Sequence, residues 1–266
     1  MTAERKKYLK VAALSVLVSL LAGAVVILIL GKNPLSAYYN LLQGVGLAPK
    51  AKYGGGQSML TDLSSYIDYW TPMIFAALSY AVAMRCGLFN IGISGQMLIG
   101  GYKYDLPIGF LLAIAVMLLV KFVFDRTVFG FELRAVGTNR TASRYIGIHV
   151  GSRIVLSMAI SGALAGLAGV TYYLGYVNSI QPRVLLSTGY DAIAVGLLGN
   201  NDPVGIFFAS FLIEIISKGS TYLQSQAGLE SEIADVITGL ILLTSACNFY
   251  FMARMGRKEK QHAERN

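Results

Sequence analysis

The stretch from Arg85 to Gly101 constrains the fold of this chain more than any other segment. It is as hydrophobic as a membrane helix, yet it carries glycines at positions 87, 92, 95, 100 and 101 and the amide side chains of Asn90 and Gln96. Backbone that is interrupted at membrane depth survives only where protein or a water-filled cavity satisfies its hydrogen-bonding groups. We therefore interpret this segment as a broken helix beside a substrate path. Close helix packing by small residues is the alternative.

The composition indicates that this segment belongs to a membrane protein. Of the 266 residues, 55% are hydrophobic and 14% are charged, whereas soluble domains contain about a quarter charged residues. The net charge of +8 does not indicate nucleic acid, because Lys and Arg lie mostly between the apolar blocks, as in cytoplasmic loops. The basic N-terminus and the apolar run Val11 to Leu30 predict a retained first helix. The sequence thus predicts an all-α, polytopic transmembrane helical bundle.

The charged loops predict one transmembrane domain of about eight crossings, with both termini in the cytoplasm. Its parts are a first half, a shortened middle, a cytoplasmic coupling loop, a second half and a basic cytoplasmic tail; they cover residues 1–101, 102–124, 125–153, 154–252 and 253–266. The tyrosines of the outer segment 32–70 and Trp70 are expected to be interfacial anchors. The helix that begins at Ile154 contains small residues such as Ser161 and Gly166, and we expect it to pack tightly.

A second interrupted segment, Thr188 to Pro203, lies in the second half of the chain. Asp191 is near its outer end, and the turn Asn200-Asn-Asp-Pro203 ends it on the cytoplasmic side. The first interrupted segment crosses from inside to outside, and the second crosses from outside to inside. Two broken helices of opposite direction indicate an inverted repeat with a substrate site near the middle of the membrane.

The segment Asp125 to Arg153 is the most polar internal stretch, and its basic excess predicts a cytoplasmic location. Within it, Gly137 to Arg144 predicts a turn followed by a short helix whose N-cap is Thr138 or Asn139. Apolar residues stand among the charges of this stretch. We therefore expect a short helix docked on a cytoplasmic partner rather than a solvated loop.

We expect this chain to depend on a partner or on an ion gradient for energy. It contains no phosphate loop of the G-x-x-x-x-G-K-[ST] form, so we expect no ATP site of that type. Its two cysteines and two histidines do not form a metal-ligand pattern, and we predict no metal site. Asp191, Glu214 in the span predicted over 204–217, and Asp235 lie near membrane boundaries where water reaches them. Because acids in such segments can form a pathway for protons or sodium ions, an ion-gradient-driven secondary transporter is an alternative.

One enzymatic pattern is present in the first interrupted segment. Gly92-Ile-Ser-Gly95 has the G-x-S-G form found around the nucleophile of rhomboid-type intramembrane serine proteases. A serine nucleophile requires a base within hydrogen-bond reach, about 3 Å. Neither His149 nor His262 lies in an apolar segment, so a protease with Ser94 as its nucleophile is a minor alternative. We predict no catalytic residues.

Three motifs in order identify a family. They are Gly87-Leu-Phe-Asn-Ile-Gly-Ile-Ser-Gly-Gln-Met-Leu-Ile-Gly100, then Phe129-Gly-Phe-Glu-Leu-Arg-Ala-Val-Gly137 with Tyr145-Ile-Gly-Ile148, and finally Gly189-Tyr-Asp-Ala-Ile-Ala-Val-Gly-Leu-Leu-Gly199. Together they resemble the permease subunits of ABC importers for nucleosides and simple sugars, of the branched-chain amino acid/ribose permease-like family. The resemblance covers most of the chain.

The resemblance implies roles for particular residues and partners. The residues implied to lie along the substrate path are Phe89, Asn90, Ser94, Gln96 and Asp191. Those implied to dock on a separate ATPase subunit are Glu132, Arg134, Gly137, Asn139, Arg140, Arg144 and Gly147. The resemblance also implies a second permease subunit, as homodimer or heterodimer, and an extracytoplasmic substrate-binding lipoprotein at a bacterial plasma membrane. ATP and Mg would bind to the partner ATPase, with no cofactor in this chain.

Two features depart from the family pattern. Ser94 stands where the family usually has Glu, which removes a charge from the path. Gly101-Tyr-Lys-Tyr-Asp105 joins two motifs that other members separate by further spans. An even number of crossings is therefore expected to be missing from the middle. A chain shortened in this way is either a permease with a reduced bundle or a remnant that does not transport.

Overall fold

The computed structural model describes residues 3–50, 58–90, 108–175, 187–227 and 232–247. Across these ranges the chain forms ten α-helices and no strands, which confirms the all-α class. In chain order the helices are α1 (Ala3–Ile29), α2 (Pro34–Gly44), α3 (Met59–Arg85), α4 (Ile108–Arg126), α5 (Val128–Thr138), α6 (Arg140–Tyr145), α7 (Val150–Gly175), α8 (Thr188–Leu198), α9 (Pro203–Ala227) and α10 (Glu232–Ala246).

Helix α3 is the centre of the bundle. Every side chain from Trp70 to Ala83 is buried, and α3 contacts α4, α5, α7, α8 and α9. A capping box fixes its start: the Thr61 amide donates to Ser58 Oγ at 3.3 Å, and the Ser58 amide donates to Thr61 Oγ1 at 2.7 Å. A helix buried on all sides can position residues at both of its ends for several neighbours at once.

Three helices in the described ranges are long and apolar enough to cross a membrane. Their apolar parts are Leu9–Ile29 in α1, Val150–Tyr173 in α7 and Pro203–Gln226 in α9. Helix α1 exposes a row of leucines, including Leu14, Leu17 and Leu21, which suits contact with lipid. These helices support a membrane bundle. The number of crossings stays a prediction, because part of it falls outside the described ranges.

Trp70 and Tyr66 belong to the core, so their prediction as interfacial anchors is wrong. The Trp70 ring packs against Phe207 and Phe211 with centroid distances of 4.6 and 4.9 Å. Its indole nitrogen donates to Ser210 Oγ at 2.7 Å. The Tyr66 hydroxyl donates to the carbonyl oxygen of Phe211. Both polar tips find their partners on α9, and this makes burial of the rings favourable.

Helix α7 shows the tight packing predicted for the small-residue helix, but on one face only. Its main partner is α3, and Ala165 and Ala168 are fully buried. A Cβ built on Gly166 would meet nothing within 4 Å. Close packing therefore uses the face that carries Ser161 and Ala165, whereas Gly166 lies against open space.

Helix α8 and the turn after it form the second interrupted segment. The 11 residues of α8 extend about 16 Å, roughly half of the thickness of the hydrocarbon core of a bilayer. The chain then turns through Asn200 and Asn201, which have φ values of 54° and 52°, a conformation that asparagine tolerates better than most residues. Helix α9 starts at Pro203. The interruption and turn predicted for 188–203 are thus confirmed. The first interrupted segment is described only as far as Asn90.

Candidate functional site

Asn90 lies at the start of the first interrupted segment and is buried between α3 and α7. It is 3% exposed. Its Nδ2 donates to Ser161 Oγ at 2.7 Å and lies 3.5 Å from Ser79 Oγ. The Ser161 hydroxyl donates in turn to the carbonyl oxygen of Ser79 at 2.8 Å. These contacts attach the start of the segment to two helices of the bundle.

This network gives Ser161 a role that sequence reasoning missed. A buried carboxamide is stable only when it is hydrogen-bonded, and contacts with two helices give Asn90 a defined orientation. From the sequence, Ser161 is predicted only as a small packing residue. A serine within a row of glycines and alanines has no local signal that separates packing from hydrogen bonding.

Phe89 is 50% exposed and connects the two interrupted segments through an aromatic contact. Its ring meets Tyr80 edge to face, with centroids 5.5 Å apart. Tyr80 is buried and lies directly on α8 at Gly196, where a Cβ would collide with the ring. The absence of a side chain at Gly196 therefore allows Tyr80 to reach the α8 backbone. Tyr80 lies between Phe89 and the second segment.

Asp191 lies in the first turn of α8 and is partly buried. A negative side chain at this position is favourable because the amino end of a helix carries partial positive charge. Asp191 is close enough to Glu214 on α9 and to Asp235 on α10 for their charges to interact. The predicted path acid therefore interacts electrostatically with one acid on α9 and one on α10.

Glu214 differs from the prediction that water reaches all three acids. It is only 3% exposed, and its Oε2 has no hydrogen-bond partner within the described ranges. The predicted span ended at Ser217, but α9 continues to Ala227. Glu214 therefore lies in the middle of the helix, where α9 packs against α3 and α8.

Ser94 and Gln96, the other predicted path residues, lie outside the described residues. The same holds for the Gly92-Ile-Ser-Gly95 pattern and for the junction Gly101 to Asp105. Their roles remain predictions. The structure does describe Phe89 and Asn90 at the start of the first segment, and α8 with its turn for the second.

The predicted coupling residues form a pair of short helices, α5 and α6, at one end of the bundle. Asn139 separates them, and its Oδ1 accepts a hydrogen bond from the Ala142 amide at 3.0 Å. This confirms Asn139 as the N-cap of α6. Gly147 has a φ of 85° at the exit from α6. Next to it, Tyr145 and Ile146 are 87% and 67% exposed.

An open groove runs between α5 and α6. It is lined by Phe131, Arg134, Ala135, Thr138, Asn139, Ala142, Ser143 and Ile146. Arg140 and Arg144 are exposed on α6. This end of the bundle therefore presents apolar side chains beside guanidinium groups, a mixture that suits a protein surface better than lipid.

Glu132 makes a contact inside the chain. Its Oε2 lies 2.6 Å from Arg153 Nε in an ion pair, which joins α5 to α7. The Arg153 guanidinium also lies over the Phe129 ring, 5.5 Å from its centroid. Glu132 and Arg153 thus orient the coupling helices on the membrane bundle.

Gly137 brings the coupling helices against the start of the first interrupted segment. A Cβ on Gly137 would lie 2.5 Å from the Arg85 carbonyl oxygen and 3.1 Å from the Gly87 nitrogen. Gly87 itself has a φ of 66°, which L-residues with side chains rarely adopt. Arg140 Nη2 donates to the Gly87 carbonyl oxygen at 3.4 Å. The end of α3 and the end of α5 therefore meet backbone to backbone.

Relatives of this chain are permease proteins. The nucleoside ABC transporter permease protein NupB of Lactococcus lactis is 27% identical, covering 89% of this chain and 90% of NupB. The guanosine ABC transporter permease protein NupP of Bacillus subtilis is 26% identical, covering 98% of this chain and 99% of NupP. The glucose ABC transporter permease protein TsgB13 of Haloferax volcanii is 25% identical, over 55% of this chain and 39% of TsgB13. No solved structure matches the chain.

The alignments with both relatives are longer than this chain. They extend over 340 positions for NupB and 356 for NupP, although this chain has 266 residues. Both relatives therefore contain segments without a counterpart here. A shortened middle around Gly101 to Asp105 would produce this relation, and the position of the missing segments stays a prediction.

The family model described as "Branched-chain amino acid transport system / permease component" matches residues 103–246, more than half of the chain. This match agrees with the apolar helices and with the full-length similarity to ABC transporter permeases. It overrides the protease interpretation of Ser94. The chain belongs to this permease family and is a membrane transport component of the ABC type rather than an enzyme.

Proposed function

We propose that this chain forms half of the substrate path of an ATP-driven importer of nucleosides. The observation that carries the proposal is the full-length similarity to NupB and NupP, whose names give nucleosides and guanosine. Simple sugars are the second candidate. The similarity to the glucose permease TsgB13 supports them, but it covers only 39% of that relative.

The substrate path runs between the two interrupted segments and includes Phe89, Asn90, Ser94, Gln96 and Asp191. The exposed ring of Phe89 suits the face of a nucleobase, and hydroxyl and amide groups suit its polar edges or the ribose. The contact from Phe89 through Tyr80 to Gly196 supports this location, because it joins both segments. Asn90 orients the start of the first segment through its contacts with α3 and α7.

Helices α5 and α6 receive a separate ATPase subunit, which binds ATP and Mg. Tyr145 and Ile146 are exposed directly after the exposed arginines of α6, Arg140 and Arg144, so the matching surface on the ATPase has an apolar recess with an acidic rim. A second permease subunit completes the path, and a lipid-anchored binding protein delivers substrate from outside. The chain lies in a bacterial plasma membrane as a multi-pass protein with both termini in the cytoplasm.

Co-purification tests the proposed assembly. Tagged permease, expressed together with the ATPase and the binding protein, is expected to retain the ATPase in detergent. Replacing both Arg140 and Arg144 with Glu reverses two charges of the docking surface, and we expect the retained ATPase to fall by about tenfold or more. Arg126→Glu, at an exposed arginine of α4 outside the docking pair, is the control. Full retention by the double variant would contradict this docking surface.

A further inference from the structure

Arg85, the last residue of α3, holds the turn between α8 and α9. Its Nε and Nη2 both donate to the carbonyl oxygen of Asn201, at 3.3 and 3.1 Å. The first interrupted segment follows directly after Arg85, and Asn201 lies in the turn that ends the second. One guanidinium group therefore connects the start of the first interrupted segment to the end of the second, although Arg85 and Asn201 are 116 positions apart.

The surroundings of Arg85 hold its side chain in place. The guanidinium lies over the Phe124 ring, 5.2 Å from its centroid. It also interacts with the charges of Asp202 and Asp125. Lys121 bridges the same two acids, at 3.6 and 3.3 Å. Two donors on one carbonyl oxygen, a ring beneath and acids nearby restrict a guanidinium far more than a surface contact does.

The coupling helices reach the same point. Gly137 of α5 packs on the backbone of Arg85 and Gly87, and Arg140 of α6 donates to the Gly87 carbonyl oxygen. A displacement of α5 therefore acts on the end of α3 without an intervening element. From there, the Arg85 side chain is a direct connection to the turn at Asn201.

We infer that Arg85 is a positioning residue that transmits motion of α5 and α6 to both interrupted segments at once. The inference rests on the proposed function, because the motion comes from the ATPase. With Arg85 in place, the turn at Asn201 follows the end of α3, and both sides of the path move together. Without it, α5 still acts on the first segment, but the second segment loses this connection.

The test compares Arg85→Gln with Arg85→Lys in vesicles that contain the permease, the ATPase and the binding protein. Labelled guanosine uptake and ATP hydrolysis are measured in the same vesicles. Arg85→Gln loses a charge-assisted hydrogen bond, so we expect uptake per ATP hydrolysed to fall by about tenfold or more, while hydrolysis persists. Arg85→Lys keeps the charge but not the paired donors, and we expect an intermediate ratio. Arg126→Gln, at an exposed arginine of α4, is the matched control.

The outcomes distinguish a loss of coupling between ATP hydrolysis and uptake from a loss of stability of the complex. An unchanged ratio of uptake to ATP hydrolysis in the assembled Arg85→Gln complex overturns the inference, even where both rates fall. If Arg85→Gln does not assemble, the ratio of Arg85→Lys decides in the same way. Wild-type uptake that continues with an inactive ATPase would instead overturn the proposed function, whatever the Arg85 variants do.

Discussion

The two interrupted segments are attached to the bundle in different ways. The first begins at Gly87 in direct contact with α5 and α6, and Asn90 then ties it to α3 and α7 by hydrogen bonds. The second is the short helix α8, which packs on Tyr80 through Gly196 and ends in a turn held by Arg85. Within the described ranges, α5 and α6 therefore contact the start of the first segment directly, whereas Arg85 connects the end of α3 to the turn of the second.

The two segments are therefore attached asymmetrically, although their sequences are similar in character. In the proposed assembly α5 and α6 receive the ATPase, and in the described ranges the first segment is the one that lies directly beside them. Backbone contacts at glycines transmit displacement with little loss, because protein interiors are close-packed and there is no side chain to absorb it.

The largest loss of stability and uptake is expected from a substitution at Gly137, where the first segment meets α5. Alanine would place its Cβ 2.5 Å from the Arg85 carbonyl oxygen, and the backbone atoms there have no room to yield. We expect Gly137→Ala to lower the free energy of unfolding by about 1–3 kcal/mol and to reduce ATP-driven uptake. Thermal unfolding in detergent and uptake in vesicles measure the two effects.

Gly151→Ala provides the matched control for Gly137→Ala. A Cβ on Gly151 would meet nothing within 4 Å, so only the helix propensity of alanine acts, which favours it over glycine by up to about 1 kcal/mol. The two substitutions are therefore expected to change stability in opposite directions. Equal changes at both glycines would show that the contact between α3 and α5 is not tight.

A somewhat smaller effect is expected at Gly196, where the second segment meets Tyr80. Gly196→Ala forces the Tyr80 ring away from α8, at a cost of about 1–2 kcal/mol, and also shifts Phe89. Adding Tyr80→Leu makes room for the new methyl group, so the double variant is expected to be more stable than the sum of the single effects predicts. A double-mutant cycle measures this coupling. Simple additivity would contradict the contact.

A still smaller loss of stability is expected at Ser161, which holds Asn90 at the start of the first segment. Ser161→Ala removes the 2.7 Å hydrogen bond of Asn90 and is expected to cost about 1 kcal/mol. Ser157→Ala is the control on the same helix, since the Ser157 hydroxyl donates to the Val82 carbonyl oxygen of α3, at 3.2 Å. Chemical denaturation in detergent compares the two. A larger loss for Ser157→Ala would mean that Asn90 does not depend on Ser161.

The smallest effect is expected at the ion pair that joins α5 to α7. The Glu132 and Arg153 side chains are 18% and 29% exposed, so water and salt weaken their attraction. Glu132→Gln is expected to cost about 0.5–1 kcal/mol at low ionic strength and less at high salt. Unfolding at two salt concentrations checks this. A salt-independent loss would point to packing rather than charge.

Local patterns in the sequence predicted much of this structure. Apolar blocks indicated an all-α bundle, and the turn residues at 200–203 marked the end of α8. The N-cap of the short helix was predicted as Thr138 or Asn139, because capping depends only on neighbouring residues, and the structure shows that it is Asn139. Helix ends were less predictable: α9 continues ten residues beyond Ser217, to Ala227, and this placed Glu214 wrongly near a boundary.

The contacts that build the candidate site were not predictable from local patterns. Trp70 resembled an interfacial anchor because its partners on α9, Phe207 and Ser210, are far away in sequence. The hydrogen bond between Arg85 and Asn201 was not predictable for the same reason, because its two residues are 116 positions apart. A single chain carries no local signal for such pairs, since they depend on how helices assemble.

ATP-driven uptake of labelled guanosine tests the central claim most directly. The permease, its ATPase and the binding protein are reconstituted in vesicles, and uptake is followed with ATP, without ATP, and with a catalytically inactive ATPase. The account predicts uptake only with ATP and the active ATPase, competed by unlabelled nucleosides more strongly than by glucose. Uptake that proceeds equally with the inactive ATPase, or no uptake of nucleosides or sugars by the assembled active complex, would contradict it.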